Sequence, residues 1–190
     1  SFLSYTRYPG GMLHTVSSRH DLQEMSITLR PIGPEDLEFL LDVYASTRTD
    51  EMRLLDWDKQ TKEVFLHLQF EAQHRYYSEN YPGAEFLVIL LDGKPVGRLY
   101  IHRRESEIRI MDITVLPEHR NKGIGSFLLD QVLTLATNRQ MSVTIHVEKF
   151  NPARHFYERL GFCLVEELSV YLFMKWTPAP ITSEHHDYNR

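Results

Sequence analysis

The spacing of apolar positions along this chain changes period twice. From Ser26, the run SITLRPI sets Ile27 and Leu29 on one side and reaches Pro31, the pattern of a short strand. Pro34-Glu35-Asp36 follows, with a proline at an early helical position and acids in the first turn. It opens a helix whose Leu37, Leu40, Leu41 and Tyr44 share one face. A longer helix is predicted over 59–79, with Val64, Phe65, Leu68 and Ala72 at helical spacing and Pro82-Gly83 as its stop. The period then shortens. EFLVILLDGKPVGRLYIHR is two strand-like runs around Asp92-Gly93, a pair that favours a tight hairpin. EIRIMDITVL is a third such run, rich in β-branched residues. LPEHRNKGIGSFLLDQVLTLA returns to helical spacing, with Ile124, Phe127, Leu128, Val132 and Leu135 on its apolar side. SVTIHVE is another strand. Asn151 then stands as the N-cap of a short helix, with Pro152 at its first position and Gly161 as its stop. FCLVEELSVYLFMKW supplies one or two closing strands.

The predicted order is therefore β-α-α-β-β-β-α-β-α-β-β. The central hairpin requires antiparallel pairing, and the strand–helix–strand unit after it requires a parallel pair with a right-handed crossover. An α+β fold satisfies both: one mixed sheet of about six to seven strands flanked by about four helices. Residues 26–176 carry these signals and read as one domain. Residues 1–25 show no clear period and are expected to form an N-terminal arm, or a segment appended ahead of Met25. Residues 177–190 are expected to be a flexible tail.

Composition narrows the class. The 190 residues are 42% hydrophobic and 25% charged, with a net charge of −5, which gives no sign of a nucleic-acid-binding surface. The single cysteine, Cys163, excludes a disulfide framework and suits a reducing compartment, and core packing is its expected role. No run of about 18 apolar residues suggests a spanning helix, and the first 25 residues lack the apolar core of a secretory signal. A cytoplasmic protein is expected. His67, His74, His102, His119 and His155 show no metal-ligand spacing, and His185-His186 belongs to the tail, so no metal is expected.

The candidate chemistry begins at Gly123 and Gly125. A glycine in a helix costs about 1 kcal/mol relative to alanine, so a pair at a helix start calls for a reason. A strand ends at Val115-Leu116, a short loop follows and a helix begins near Gly123. Loop amides and the unpaired N–H groups of the first helical turn make an anion site suited to phosphate. Glycines there remove side chains between backbone and phosphate, Asn121 tolerates a left-handed backbone, and Arg120 and Lys122 add positive charge. The dinucleotide fingerprint is not met, because Leu128 stands where its third glycine belongs, and the P-loop pattern is absent.

R-N-K-G-I-G, residues 120–125, resembles the R/Q-x-x-G-x-G/A signature of the GNAT superfamily of acyl-CoA-dependent N-acetyltransferases. N-P-A-R-H-F-Y-E-R-L-G-F, residues 151–162, resembles that family's second signature, one strand further on. The predicted element order also matches, and the resemblance spans about residues 26–176, nearest to a bacterial branch of unassigned members.

The resemblance implies a GNAT fold and direct attack of a primary amine on acetyl-CoA within a ternary complex. It implies that the coenzyme A pyrophosphate is held by the amides of Arg120, Asn121, Lys122, Gly123, Ile124, Gly125 and Ser126. The pantetheine arm would lie along Ile113, Thr114 and Val115, with Asn151 and Tyr157 also touching the cofactor. The chemistry sets three demands. An amine of pKa near 10 is neutral in only about one molecule in a thousand at pH 7, equivalent to about 4 kcal/mol. The developing oxyanion needs a donor, and the leaving thiolate needs a proton. Val115 N–H is the expected donor. The parity of Ile108 and Ile110 against Ile113 and Val115 is consistent with a β-bulge near Met111-Asp112, and equally with a strand buried on both faces. Tyr157 matches the family's acid.

Some members carry a glutamate base where this chain has Arg109, which cannot act as a base. Asp112, Glu107, His146 and Glu148 remain as candidates, with Asp112 beside the bulge taken forward and water-mediated deprotonation as its competitor. Arg109 also raises an acceptor bearing a carboxylate. Gln69, Gln73, Tyr76 and Tyr77 on the long helix either line the acceptor site or form a polar outer face. The expected partners are a small-molecule or peptide amine, with no nucleic acid and no membrane. A homodimer, and a non-catalytic acyl-CoA-binding sensor or scaffold, are kept as open alternatives.

Overall fold

A two-residue loop joins two β-strands at the centre of this chain and sets their register. In the computed structural model, which describes residues 13–14 and 25–180, Asp92 (φ 50°) and Gly93 (φ 78°) are both left-handed. That is the type I′ turn whose twist matches its flanking strands. It joins β3 (Glu85–Leu91) to β4 (Lys94–Arg103), paired antiparallel from Glu85 opposite Ile101 to Leu91 opposite Lys94.

The chain divides into two compact units. The first is built from the chain up to Arg103 together with Ile110–Leu128. Its strands are β1 (Leu13–His14), β2 (Ile27–Pro31), β3, β4 and the Ile110–Val115 part of β5 (Glu107–Val115), hydrogen-bonded in that order. Its helices are α1 (Leu37–Ser46), α2 (Thr49–Leu54) and α3 (Lys59–Asn80). The first turn of α4 (Ile124–Asn138) also belongs to this unit. Val88, Ile89 and Leu99 from the sheet and Leu40 and Val43 from α1 are fully buried. Each such side chain contributes about 1.5–3 kcal/mol by leaving water.

The second unit takes Arg104–Arg109 and the chain from Leu129 onward. Here β6 (Ser142–Glu148), β8 (Tyr171–Trp176) and β7 (Cys163–Glu167) form an antiparallel set in that order, and α5 (Ala153–Arg159) follows β6. Val143, Ile145 and Val147 on β6 and Leu172 and Met174 on β8 are buried.

The predicted strands and the helices α1, α3, α4 and α5 are all present, and α2 is an additional short helix. Three expectations change. Of the residues at helical spacing on α3, Phe65 is half-buried, but Val64 is 54% and Leu68 59% exposed, and Ala72 is exposed too. Leu66 and Phe70 turn inward instead, packing with Leu40 and Tyr44 of α1, and Gln73 and Tyr77 are half-buried further along the helix. Cys163 is exposed rather than packed, since β7 lies at the end of its strand order and all five of its residues face solvent. In the short helix α5 the spacing of Ala153, Phe156 and Leu160 predicts a buried face with Tyr157 at its border, but the most buried residue is Tyr157, at 6% exposure, while those three are half-buried. The segments read as an N-terminal arm and a flexible tail fall largely on 1–12, 15–24 and 181–190, outside the described residues.

Candidate cofactor loop and thioester strand

The two glycines of the helix start answer to different physical demands. After β5, Leu116 N–H returns to the Val96 carbonyl (2.9 Å) and residues 117–119 make one 3-10 turn. Asn121 (φ 59°) and Gly123 (φ 79°) are then left-handed, so the conformational tolerance expected of Asn121 is used. Gly123 meets the same backbone demand, and its carbonyl accepts the Phe127 N–H (2.9 Å) as the helix begins. Gly125 is not left-handed, and a Cβ built there meets no atom within 4 Å. Neither its own conformation nor packing within the protein requires a glycine at 125.

Around this turn Asn121, Lys122 and Ser126 are exposed, whereas the Ile124 side chain is buried, so Ile124 has only its backbone to offer a ligand. Arg120 reaches back, and its Nε donates to the Val115 carbonyl (2.8 Å).

The strand before the loop is held from β4 in an unusual way. A Cβ at Gly97 would strike the Thr114 carbonyl oxygen and come within 3.0 Å of Val115 Cα. Ordinary ladder spacing leaves room for a Cβ, so β5 crosses the β4 backbone more closely here than a regular ladder would.

Arg98, the next residue, is 1% exposed. Its Nη2 donates to Asp112 Oδ2 (2.7 Å) and to Gln73 Oε1 of α3 (3.1 Å). Its guanidinium carbon lies 5.0 Å from the Tyr100 ring centre and 5.9 Å from that of Tyr44. Burial works against the charge, but the Asp112 carboxylate beside it, by charge and by hydrogen bond, outweighs it, and the Arg98 pKa is raised. Burial likewise pushes the Tyr100 hydroxyl up to about 12, so it stays protonated. Asp112 Oδ1 accepts the Thr114 hydroxyl (2.7 Å). Asp112, the base taken forward from the sequence, therefore serves as the counter-ion of a buried guanidinium, with both oxygens engaged. Of the four α3 residues left undecided, Gln69 accepts the Tyr44 hydroxyl (3.1 Å), Gln73 meets Arg98 and Tyr77 lies against Tyr100 (6.2 Å), while Tyr76 is exposed.

Arg98 was not singled out in the sequence, although a signal existed. It is a charge inside the apolar run PVGRLYI, and Asp112 is the opposite charge inside the apolar run IRIMDITV.

In the second unit, Asn151 Oδ1 accepts the Ala153 N–H (2.9 Å), the cap expected of it. Gly161 (φ 93°) closes the helix, with Phe162 N–H bonded to the Tyr157 carbonyl (3.1 Å). The Tyr157 ring is set between Phe156 and Phe162, each 5.6 Å away. Among the other base candidates, Glu107 faces Arg104 (3.6 Å) and Glu148 is exposed at the end of β6. His146 stacks on Phe173 (4.9 Å), and burial first, then Arg109, lowers its pKa, which favours the neutral imidazole near pH 7. Among the described residues no group of histidine, cysteine and acidic side chains is arranged to hold a metal, and no helix is long and apolar enough to cross a membrane.

The sequence model of the Acetyltransferase (GNAT) family matches residues 49–162, more than half of the chain. A Bacillus subtilis (strain 168) protein, provisionally named a ribosomal protein bS18-alanine N-acetyltransferase, is 26% identical over 136 residues, covering 70% of this chain and 78% of that protein. The PaiA N-acetyltransferase of Thermoplasma acidophilum, solved in complex with coenzyme A, superimposes with a TM-score of 0.62 at 19% identity, over 80% of this chain and 99% of its own. Ard1 of Thermoplasma volcanium does so with a TM-score of 0.52 at 25% identity, over 81% and 99%. These structures share the mixed α+β architecture expected from the sequence. The chain belongs to the GNAT family of acetyltransferases.

Proposed function

We propose that the protein transfers an acetyl group from acetyl-CoA to a primary amine, by direct attack within a ternary complex. The observation that carries this reading is Gly125. The backbone does not need it and no neighbour crowds it, so what it leaves room for lies outside the protein. A pyrophosphate against the first turn of α4 accounts for it. The residues present fit that group: left-handed Asn121 and Gly123 turn the chain into the helix, and Arg120 and Lys122 bring positive charge. The coenzyme A bound to the Thermoplasma acidophilum neighbour supports the same assignment.

Bound acetyl-CoA supplies an acetyl thioester. The amides of residues 120–126 bind its pyrophosphate. Val115 N–H is assigned the developing oxyanion, where a fixed donor stabilises charge without reorganising. Tyr157 Oη is assigned the proton that goes to the departing sulfur. Asp112 is assigned to positioning, and the proton of the attacking amine to solvent. The name of the Bacillus relative supports testing the α-amine of an alanine-initiated peptide beside small primary amines.

Calorimetric titration with acetyl-CoA, desulfo-coenzyme A and adenosine tests the loop. Both coenzyme A forms are expected to bind at least about tenfold more tightly than adenosine, since only they carry the pantetheine pyrophosphate arm. Equal binding of all three would remove the pyrophosphate assignment. Thiol release with the peptide and small amines tests transfer. Tyr157→Phe is expected to lower turnover by at least about tenfold while acetyl-CoA affinity is kept. An unchanged rate across pH would take Tyr157 out of the mechanism. Binding without thiol release for any amine would favour a sensor or scaffold.

A further inference from the structure

A buried ion pair does little for net stability, because well-packed apolar residues in its place are commonly as stable or more so. The Arg98–Asp112 pair therefore calls for a second reason, and its surroundings supply one. Asp112 and Thr114 flank Ile113 on the same side of β5, joined to each other by the Thr114 hydroxyl and to the core by Arg98. On the far side of Thr114, Arg120 holds the Val115 carbonyl and Leu116 N–H is bonded to β4. Gly97 lets the β4 backbone lie so close to the Thr114–Val115 peptide that even a Cβ there would strike the Thr114 carbonyl oxygen. Three residues of strand are thus fixed by side chains at both ends and by a backbone beneath. Gln73 extends the brace to α3.

We propose that Arg98, Asp112 and Thr114 are positioning residues for the reaction. They set the peptide groups of Ile113–Val115 at the orientation in which Val115 N–H polarises the thioester carbonyl. The inference rests on the acetyl-CoA reading above and deepens it. A donor aimed at developing charge acts only if held within a few tenths of an ångström of its working position, and a brace of charged and hydroxyl groups does this more rigidly than a strand ladder alone. The Arg98–Asp112 pair supplies the stiff element. Thr114 transmits it to the peptide that follows.

The test uses the full chain and acetyl-CoA labelled with carbon-13 at the thioester carbonyl. It needs no acceptor. Difference infrared spectroscopy reads the carbonyl stretch of the bound probe, and calorimetry with the same probe reads its affinity. Wild-type protein is expected to shift the stretch to lower frequency on binding. Asp112→Asn and Thr114→Val are each expected to lose at least about half of that shift while affinity stays within about twofold. Thr114→Val removes only the hydroxyl and retains the shape, so it tests the brace should Asp112→Asn fail to fold. A residue that merely supports the fold would lower the melting temperature and leave the shift of bound probe intact. Full shift in either folded variant overturns the positioning inference alone, and no shift in a wild type that binds the probe overturns it together with the Val115 donor while acetyl-CoA binding stands. A wild type that does not bind acetyl-CoA overturns the functional reading itself.

Discussion

Replacing Asp112 by alanine is expected to cost about 3–5 kcal/mol of folding stability, because it leaves a buried guanidinium without its carboxylate. Arg98 is 1% exposed and cannot recover its hydration without opening the space between β4 and α3. Gln73 and the Tyr44 and Tyr100 rings offer dipoles and π-faces, which do not replace a full negative charge at 2.7 Å. Urea unfolding measures the loss directly, with a lower midpoint and an unchanged slope if the native state stays compact. The double variant Arg98→Met, Asp112→Leu is expected to regain most of the lost stability, since it removes the charge rather than stranding it. A cost below about 1 kcal/mol for Asp112→Ala is the value of an exposed pair, and would contradict the burial described here.

Gly125→Leu is expected to weaken acetyl-CoA binding by about a hundredfold, or about 3 kcal/mol. The side chain would stand in the open space over the first turn of α4 and separate its amides from the pyrophosphate. Loss of one or two charge-assisted hydrogen bonds, each worth about 1.5–3 kcal/mol, accounts for that size. Stability is expected to move the other way, rising by up to about 1 kcal/mol, because leucine favours a helix more than glycine does. The opposite signs separate a glycine kept for a ligand from one kept for the fold. Gly123, with its φ of 79°, is of the second kind, and alanine there is expected to destabilise. Calorimetry and thermal unfolding of Gly125→Leu give both quantities, and retained affinity would remove the phosphate role of the loop.

The strands were legible because their signals are local. Asp92-Gly93 fixes a two-residue turn by its own backbone preferences, and that turn brings the apolar runs on either side of it together as neighbours in the sheet. The loop was legible for the same reason: left-handed Asn121 and Gly123 are choices of residue type, readable one position at a time. The α3 face was misread because the helix carries apolar residues at more than one helical spacing, and periodicity does not choose between them. Leu66 and Phe70 turn inward against α1, and Val64 and Leu68 are exposed. Asp112 was singled out as a titratable group beside a parity change in the apolar pattern, but its partner lies on another strand and no short-range pattern links the two. Cys163 was misread because a sequence does not say which strand will stand last in its order.

That outer strand has a further consequence for the protein in solution. Among the described residues β7 stands last in its strand order, with Leu164 and Val165 exposed on it, the arrangement through which sheets of separate molecules add edge to edge and precipitate. Glu166 and Glu167 close the same strand and act as gatekeepers, since stacking it on a second copy would crowd like charges. The Lys149 ammonium bonded to Glu167 (2.7 Å) holds that carboxyl below the usual carboxylate range. Glu167 therefore stays ionised to a lower pH than free glutamate would, but as half of an ion pair, so the repulsion that guards this edge falls to the Glu166 carboxylate beside it.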